Sequence, residues 1–389
     1  MSDGLRGQRG PRIAFDGRYI RDSFGGIARF AYCLLSALVR EDADATYLVY
    51  YDPVQKASRF DLGGLFQQPN VVARPLSAPL YSLREQAIWP LALGRDRADV
   101  YYSPYFALPL LAGRPCVCTV HDLIFELEPA YRHGNWVRGY YFPMMRLALW
   151  RAAAVLAVSE TTKGRLLTHY GTDAGRVTVV SEAAADTFRP SPDGRLVAEA
   201  KQALALPERY VLAVGARRPH KNLGSAVRAF AMIQPEVPHS LVLVGASERR
   251  YADDVAAALD ELGSGVRVHE LASVDERYLP ALYHLAEAVV IPSLHEGFGL
   301  PALEAMVTGT PVVASDRGAL PEVVGEAGIL VDPTDLASLA NALRRVLGDE
   351  ETRDELRRRG LRRAADFTWT RSAKTASGVL RRLAKDEKS

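Results

Sequence analysis

Cysteine is scarce: only Cys33, Cys116 and Cys118 occur in 389 residues. That is too few for a disulfide framework, and Cys116-Val-Cys118 lies in an apolar run without the second Cys or His pair of a zinc site. Three buried thiols in a reducing, cytoplasmic setting are expected. A surplus of one charge is also missing, since 48 Lys+Arg face 46 Asp+Glu for a net charge of +2. Nucleic-acid binders carry a strong basic excess, so nucleic acid is excluded as the main partner. No apolar run approaches the roughly 20 residues that span a bilayer. Residues 1–11 are Gly- and Arg-rich and lack the apolar stretch of a signal peptide. Neither half of the chain carries Gly-x-Gly-x-x-Gly in its first strand–turn, which excludes a nicotinamide dehydrogenase.

What is present is enough apolar sequence, 48% of residues, for two or three cores, which is also what the length implies. Short β-branched runs alternate with amphipathic stretches. The first half reads as strands over 12–16, 46–51, 70–75, 99–103, 116–121, 154–159 and 177–181. A turn-rich linker, Phe188-Arg-Pro-Ser-Pro-Asp-Gly194, follows. The pattern then restarts, with strands over 210–215, 240–245, 266–271, 288–291, 311–315 and 328–331. Such alternation predicts an α/β chain of two doubly wound parallel sheets, with ligands beyond the carboxyl ends of the strands. The domains are expected at 1–187 and 195–370, with a last helix over 371–389.

The densest chemistry lies in His295-Glu296-Gly297-Phe298-Gly299-Leu300-Pro301-Ala302-Leu303-Glu304. A buried strand runs into a glycine turn, and a helix starts with proline where a missing N–H costs nothing. Gly297 and Gly299 allow a tight turn and close approach of a ligand. The new helix N-terminus favours an anion, and Glu296 and Glu304 bracket it with acceptors for hydroxyl groups. A second strand–loop–helix, Gly215-Ala-Arg217-Arg218-Pro-His220-Lys221-Asn222, crowds three cations against a helix dipole. Such cations want an anion. In the first half, Gly25-Gly26 is read as a loop before a helix, and His121-Asp122 ends a strand.

Glu296-Gly-Phe-Gly-Leu-Pro-x-Leu-Glu304 resembles the signature of the retaining glycosyltransferases of family 4, which have the GT-B architecture of two Rossmann-like domains. The likeness extends to Gly25-Gly26-Ile27-x-Arg29, His121-Asp122, Lys221, Gly318-Ala319-Leu320-Pro321 and Phe367-Thr-Trp369. It implies a nucleoside-diphosphate sugar as co-substrate and a glycan or lipid-linked saccharide as acceptor. By the same resemblance Arg217 and Lys221 grip the diphosphate, Glu304 the ribose, and Glu296 with the backbone of Gly297, Phe298, Gly299 and Leu300 the sugar. His121 faces donor sugar and diphosphate, and the Gly25-Gly26 loop approaches the phosphates and the acceptor. The first half looks most like mannosyl- and rhamnosyl-type enzymes of bacterial polysaccharide assembly, so a GDP-hexose is the expected donor. A UDP-sugar, or a silent nucleotide- or glycan-binding protein, is the alternative.

No cofactor and no metal are expected. The one Asp-x-Asp, Asp42-Ala43-Asp44, follows a helix in a polar loop and reads as solvated charge. Finally, the segment 136–151 mixes aromatics, methionines and arginines, with Pro143 interrupting it. A core helix with a basic face is one reading, and a peripheral contact at the inner face of the membrane is the other.

Overall fold

Strands buried on both faces must return to the same edge of their sheet through crossovers, which makes the sheets parallel. The computed structural model describes residues 10–128, 131, 137–248 and 250–386. It divides into two compact units, Met1–Leu123 with Arg132–Glu182 and Thr368–Ser389, and Ile124–Tyr131 with Ala183–Phe367. The first unit holds β1 Arg12–Asp16, β2 Thr46–Tyr51, β3 Val71–Pro75, β4 Val100–Ser103, β5 Cys116–Val120, β6 Ala154–Ala157 and β7 Val177–Val179. They pair in the order β3-β2-β1-β4-β5-β6-β7. The second holds β8 Tyr210–Val214, β9 Ser240–Val244, β10 Val268–Leu271, β11 Ala288–Ile291, β12 Val312–Ser315 and β13 Ile329–Val331. Their order is β10-β9-β8-β11-β12-β13. Every strand lies where its β-branched run predicts it.

Each sheet winds outward from one strand, then jumps back and winds the other way. The jump puts β4 beside β1 in one unit and β11 beside β8 in the other. At such a point neighbouring loops diverge above and below the sheet and leave a crevice.

Other expectations change. Gly25 and Gly26 are not a loop but the first turn of the helix Gly25–Glu41, and neither has positive φ. Pro143 does not interrupt a helix. It lies in the first turn of Phe142–Arg151, behind a π-helical turn, Val137–Tyr141; Trp136 lies outside the described residues. Cys116 and Cys118 are buried, and burial pushes both thiols up to about 12, whereas Cys33 is only half-buried.

Asp42 is the clearest correction. Asp44 is exposed as expected, but the Asp42 side chain is buried. It takes two hydrogen bonds from Arg381, one of them 2.8 Å from Nε, and a third from the Ser377 hydroxyl. Arg381 and Ser377 belong to the last helix, Trp369–Asp386, which packs along Gly25–Glu41 through Ala373, Ala376 and Leu380. Alanine at that spacing lets two helix backbones come close, and Trp369 adds an edge-on contact with Phe30 at 5.8 Å. The aspartate follows the helix because it anchors another.

Burial pushes the Asp42 carboxyl up, but the bonds from Arg381 and Ser377 outweigh it and the net shift is down. Its stabilisation is therefore present above the unfolded value of about 3.9 and lost as pH falls through the folded one. Asp42→Ala, which leaves Arg381 unpaired, is expected to lower stability by about 2–3 kcal/mol at pH 7, read from the midpoint of urea unfolding.

Candidate active site

At the β8/β11 switch point the two motif loops of the second unit meet. Lys221 follows β8 and Glu296 follows β11, and their side chains form an ion pair of 2.7 Å. They are 19% and 10% exposed, so the pair is sheltered yet reachable. The lysine stem crosses Gly215, where a Cβ would stand 3.5 Å from its Cδ. The same Glu296 oxygen accepts a 2.8 Å bond from the buried Ser293 hydroxyl. The Leu294 N–H donates to the His220 carbonyl at 2.7 Å and ties the two loops together.

Glycine is required behind this pair at two positions. Gly299 has φ +105°, and a Cβ there would lie 2.7 Å from Leu320 Cδ2. Gly318, φ +65°, presses on Glu296 so closely that a Cβ would be 2.8 Å from both its N and its O. The Ala319 N–H then donates to the Glu296 carbonyl at 3.2 Å. The Gly318-Ala319-Leu320-Pro321 segment thus buttresses the glutamate's backbone. Gly297 lacks positive φ, so the turn needs only Gly299 in the left-handed region. The helix Leu300–Val307 follows without a side-chain cap or an acidic residue in its first turn, leaving its positive end clear. Glu304 is buried in its second turn. Phe298 turns inward against Phe367 at 5.6 Å, so only its backbone faces the turn.

The cations that sequence grouped together part company. Arg217 reaches Asp253 at 3.3 Å and also pairs with Glu270, while Arg218 pairs with Glu248 at 2.6 Å. Each of the three already has a carboxylate of its own unit, and Lys221 alone has Glu296. His220 accompanies them as a neutral ring. Burial, Lys221, Arg218 and His295 lower it to about 2, and its Nδ1 shares a 2.5 Å hydrogen bond with the Tyr131 hydroxyl. Asn222, with φ 52°, starts the next helix and donates from its amide to the Pro292 and Pro333 carbonyls, each at 3.0 Å.

In the first unit, Gly25 and Gly26 are exposed at the end of their helix, and a Cβ on either would touch nothing. Their own fold does not require glycine. His121, just past β5, is held on both sides: Nε2 donates to the Pro104 carbonyl at 2.9 Å, and Nδ1 meets Glu182 Oε1 at 3.2 Å. Phe30 packs edge-on against the ring at 4.7 Å. Burial alone would lower this imidazole. The Glu182 carboxylate, with the Pro104 carbonyl and Asp122, outweighs burial and raises it. The sequence names His121 but carries no signal for Glu182, 61 residues away. Nor does it single out Ser293, Asp253 or Glu270.

Two family models cover this chain: "Glycosyltransferase Family 4" over residues 24–183 and "Glycosyl transferases group 1" over 197–363. O-antigen chain mannosyltransferase B of Escherichia coli is 34% identical over 302 residues, 76% of this chain and 77% of the relative. The chain belongs to glycosyltransferase family 4. A D-inositol 3-phosphate glycosyltransferase of Nocardia farcinica (strain IFM 10152) is 38% identical over 278 residues, 68% of this glycosyltransferase and 60% of the relative. The solved structure of HepE from Anabaena in complex with UDP-glucose matches with a TM-score of 0.73 at 21% identity, covering 95% of this chain and 99% of that one. The fold is accordingly GT-B. Among the described residues of this glycosyltransferase, no three His, Cys, Asp or Glu side chains converge as a metal site, and no helix is long and apolar enough to cross a membrane.

The His121–Glu182 pair can be tested directly. In the wild type the His121 ring should titrate above 6.5 in an NMR pH series, and in Glu182→Gln it should fall, because the carboxylate that does most to oppose burial is then gone. A raised folded value means that the pair stabilises below pH about 6.5 and ceases to do so as pH rises through that value.

Proposed function

We propose that this family 4 enzyme moves a hexose, mannose above all, from a nucleoside-diphosphate sugar to a hydroxyl of a glycan or lipid-linked saccharide. The observation that carries the reading is the Lys221–Glu296 pair at the switch point beside an uncapped helix N-terminus. When a donor binds, its diphosphate takes Lys221. Glu296, released from the lysine but still held by Ser293, then accepts hydrogen bonds from the sugar hydroxyls. Glu304 is assigned to the ribose. Arg217 is anchored by Asp253 and Glu270 through Nη1 and Nη2, and its Nε, which has no partner among the described residues, is a donor it can still offer the diphosphate beside Lys221 and the helix dipole.

Bond breaking leaves negative charge on the departing phosphate and positive charge on the anomeric carbon. Fixed donors aimed at the phosphate stabilise that state without reorganising, and in many transfer reactions this supplies most of the rate enhancement. On this reading no metal is needed. The leaving phosphate takes the acceptor proton on the same face, and anomeric configuration is retained. His121 and the Gly25-Gly26 turn serve the sugar and acceptor side. With both nitrogens engaged, His121 acts through position and charge rather than by passing a proton. The mannosyl assignment draws on the Escherichia coli relative. A UDP-sugar is the competing donor, in line with the Anabaena complex.

The test is a screen of GDP- and UDP-sugars in EDTA, reading nucleotide release with and without saccharide acceptors. Release from GDP-mannose alone is expected, with Lys221→Ala and Glu304→Ala each lowering kcat/KM at least about a hundredfold. Release that requires a divalent ion, or an inverted product anomer by NMR, would overturn the mechanism. Nucleotide binding with no turnover on any acceptor would favour a silent binding protein.

Peripheral membrane contact has its own support. Phe142–Arg151 buries Met145, Ala148 and Leu149, and its other face exposes Arg146, Leu147 (43% exposed) and Trp150 (77% exposed). Such a mixture of cation, aliphatic and aromatic suits an anionic lipid interface. Binding to anionic vesicles at low salt should weaken several-fold in Trp150→Ser, and a wild type that ignores such vesicles would remove the idea.

A further inference from the structure

One segment of the second unit comes from the first half of the chain. Ile124–Tyr131 follows β5 and His121-Asp122, yet it is part of the unit built from Ala183–Phe367. Its short helix, Ile124–Leu127, leads through Glu128 to Tyr131, whose N–H donates to the Glu128 carbonyl at 3.1 Å. The Tyr131 ring is buried, edge-on to Tyr251 at 4.9 Å, to Phe125 at 6.0 Å and to the His220 ring at 5.6 Å. Its hydroxyl shares the 2.5 Å bond with His220 Nδ1.

His220 immediately precedes Lys221 in the turn Pro219–Lys221. Lys221, Arg218 and His295 lie close enough to resist another positive charge, and with burial they keep the ring neutral. A neutral imidazole donates through one nitrogen and accepts through the other. Between the two rings the phenol is the better donor and the imidazole nitrogen the better acceptor, and burial holds the proton on Tyr131. That proton therefore lies in the bond to Nδ1, and His220 carries its own at Nε2. Nε2 has no hydrogen-bond partner among the described residues, and the ring is only half-buried. The backbone here offers an anion less. The positive end of the next helix, Leu223–Ile233, is taken by Asp254, which accepts from the Gly224 N–H at 2.8 Å. A diphosphate over this loop is met by side chains.

We propose that His220 binds the donor diphosphate beside Lys221 through Nε2–H, as a neutral donor, and that Tyr131 is the positioning residue that fixes its tautomer. The inference rests on the transferase reading above and adds two residues to its donor site. A hydrogen bond to an ionised phosphate is stronger than one between neutral groups, so the ring contributes without a charge that Arg218 and Lys221 would oppose.

The experiment compares wild type, Tyr131→Phe, His220→Gln and His220→Leu, all as full chains. Glutamine keeps an amide N–H at the reach of Nε2, and leucine keeps none. Affinity for GDP and UDP is titrated by calorimetry. The His220 nitrogens are followed by NMR with the same nucleotides, inorganic pyrophosphate, guanosine and uridine as probes. In the free wild type Nε2 should be protonated and Nδ1 bare, and Tyr131→Phe should mix the two tautomers. The Nε2–H signal should move with whichever nucleoside diphosphate binds and with pyrophosphate, but not with either nucleoside. Affinity for that diphosphate is expected to fall about tenfold in His220→Leu and about threefold in Tyr131→Phe, with His220→Gln near wild type. A protonated Nδ1 in the wild type, a signal that ignores pyrophosphate, or full affinity in His220→Leu would overturn the proposal. So would equal losses in the glutamine and leucine variants, which would reduce His220 to packing. Failure of the transferase reading would look different, since no donor would turn over in the wild type while pyrophosphate still moved the Nε2–H signal.

Discussion

A parallel sheet that is wound from the middle can leave only one crevice at its carboxyl edge, and this constraint decides where chemistry can happen in each unit. In the second unit it brings Lys221 to Glu296 across 75 residues of sequence. Loops after β8 and β11 are neighbours only because β9 and β10 were laid down on the far side first. Everything else there serves that meeting. Ser293 fixes one carboxylate oxygen, Gly318 allows a second loop to press on the glutamate's backbone, and Gly299 turns the chain into a helix whose positive end stays clear.

The lysine and glutamate also keep each other from harm while no ligand is bound. A sheltered lone cation or carboxylate is costly, and partnering removes that cost. The same is true of Arg217 with Asp253 and Glu270, and of Arg18 with Asp16 and Glu85. The sites are thus built from internally paired sets, in which every cation already has at least one carboxylate. A ligand competes for one member of a pair instead of filling a charged void. Affinity for the ligand is then set by the difference between two ion pairs, which is small and adjustable.

The architecture was legible because short apolar strands of three to six residues between amphipathic stretches leave few alternatives. Motif residues were legible where spacing on one loop carries the meaning, as in Glu296 to Glu304. Side-chain partners were not. Glu182 meets His121 and Arg381 meets Asp42 only after the chain has folded, and no local pattern marks either pair. The Arg217-Arg218-Lys221 run read as a single anion trap because charge was counted along the sequence, whereas the fold sends the three side chains to four different carboxylates. Gly25 and Gly26 read as a loop for a similar reason. Glycine disfavours a helix interior, but at a first turn it costs little.

The last helix gives the first unit a history as well as a shape. The second unit, Ile124–Tyr131 with Ala183–Phe367, has all its residues by position 367, but the opening unit waits for Trp369–Asp386 before Asp42 finds Arg381 and Ser377. During synthesis the later unit can therefore be complete while the earlier one still shows the open flank of helix Gly25–Glu41, with Phe30 and Asp42 uncovered. Chain order and order of completion are reversed. The interval between them, a matter of seconds at ordinary rates of synthesis, is when this protein is most exposed to mispairing and to chaperones.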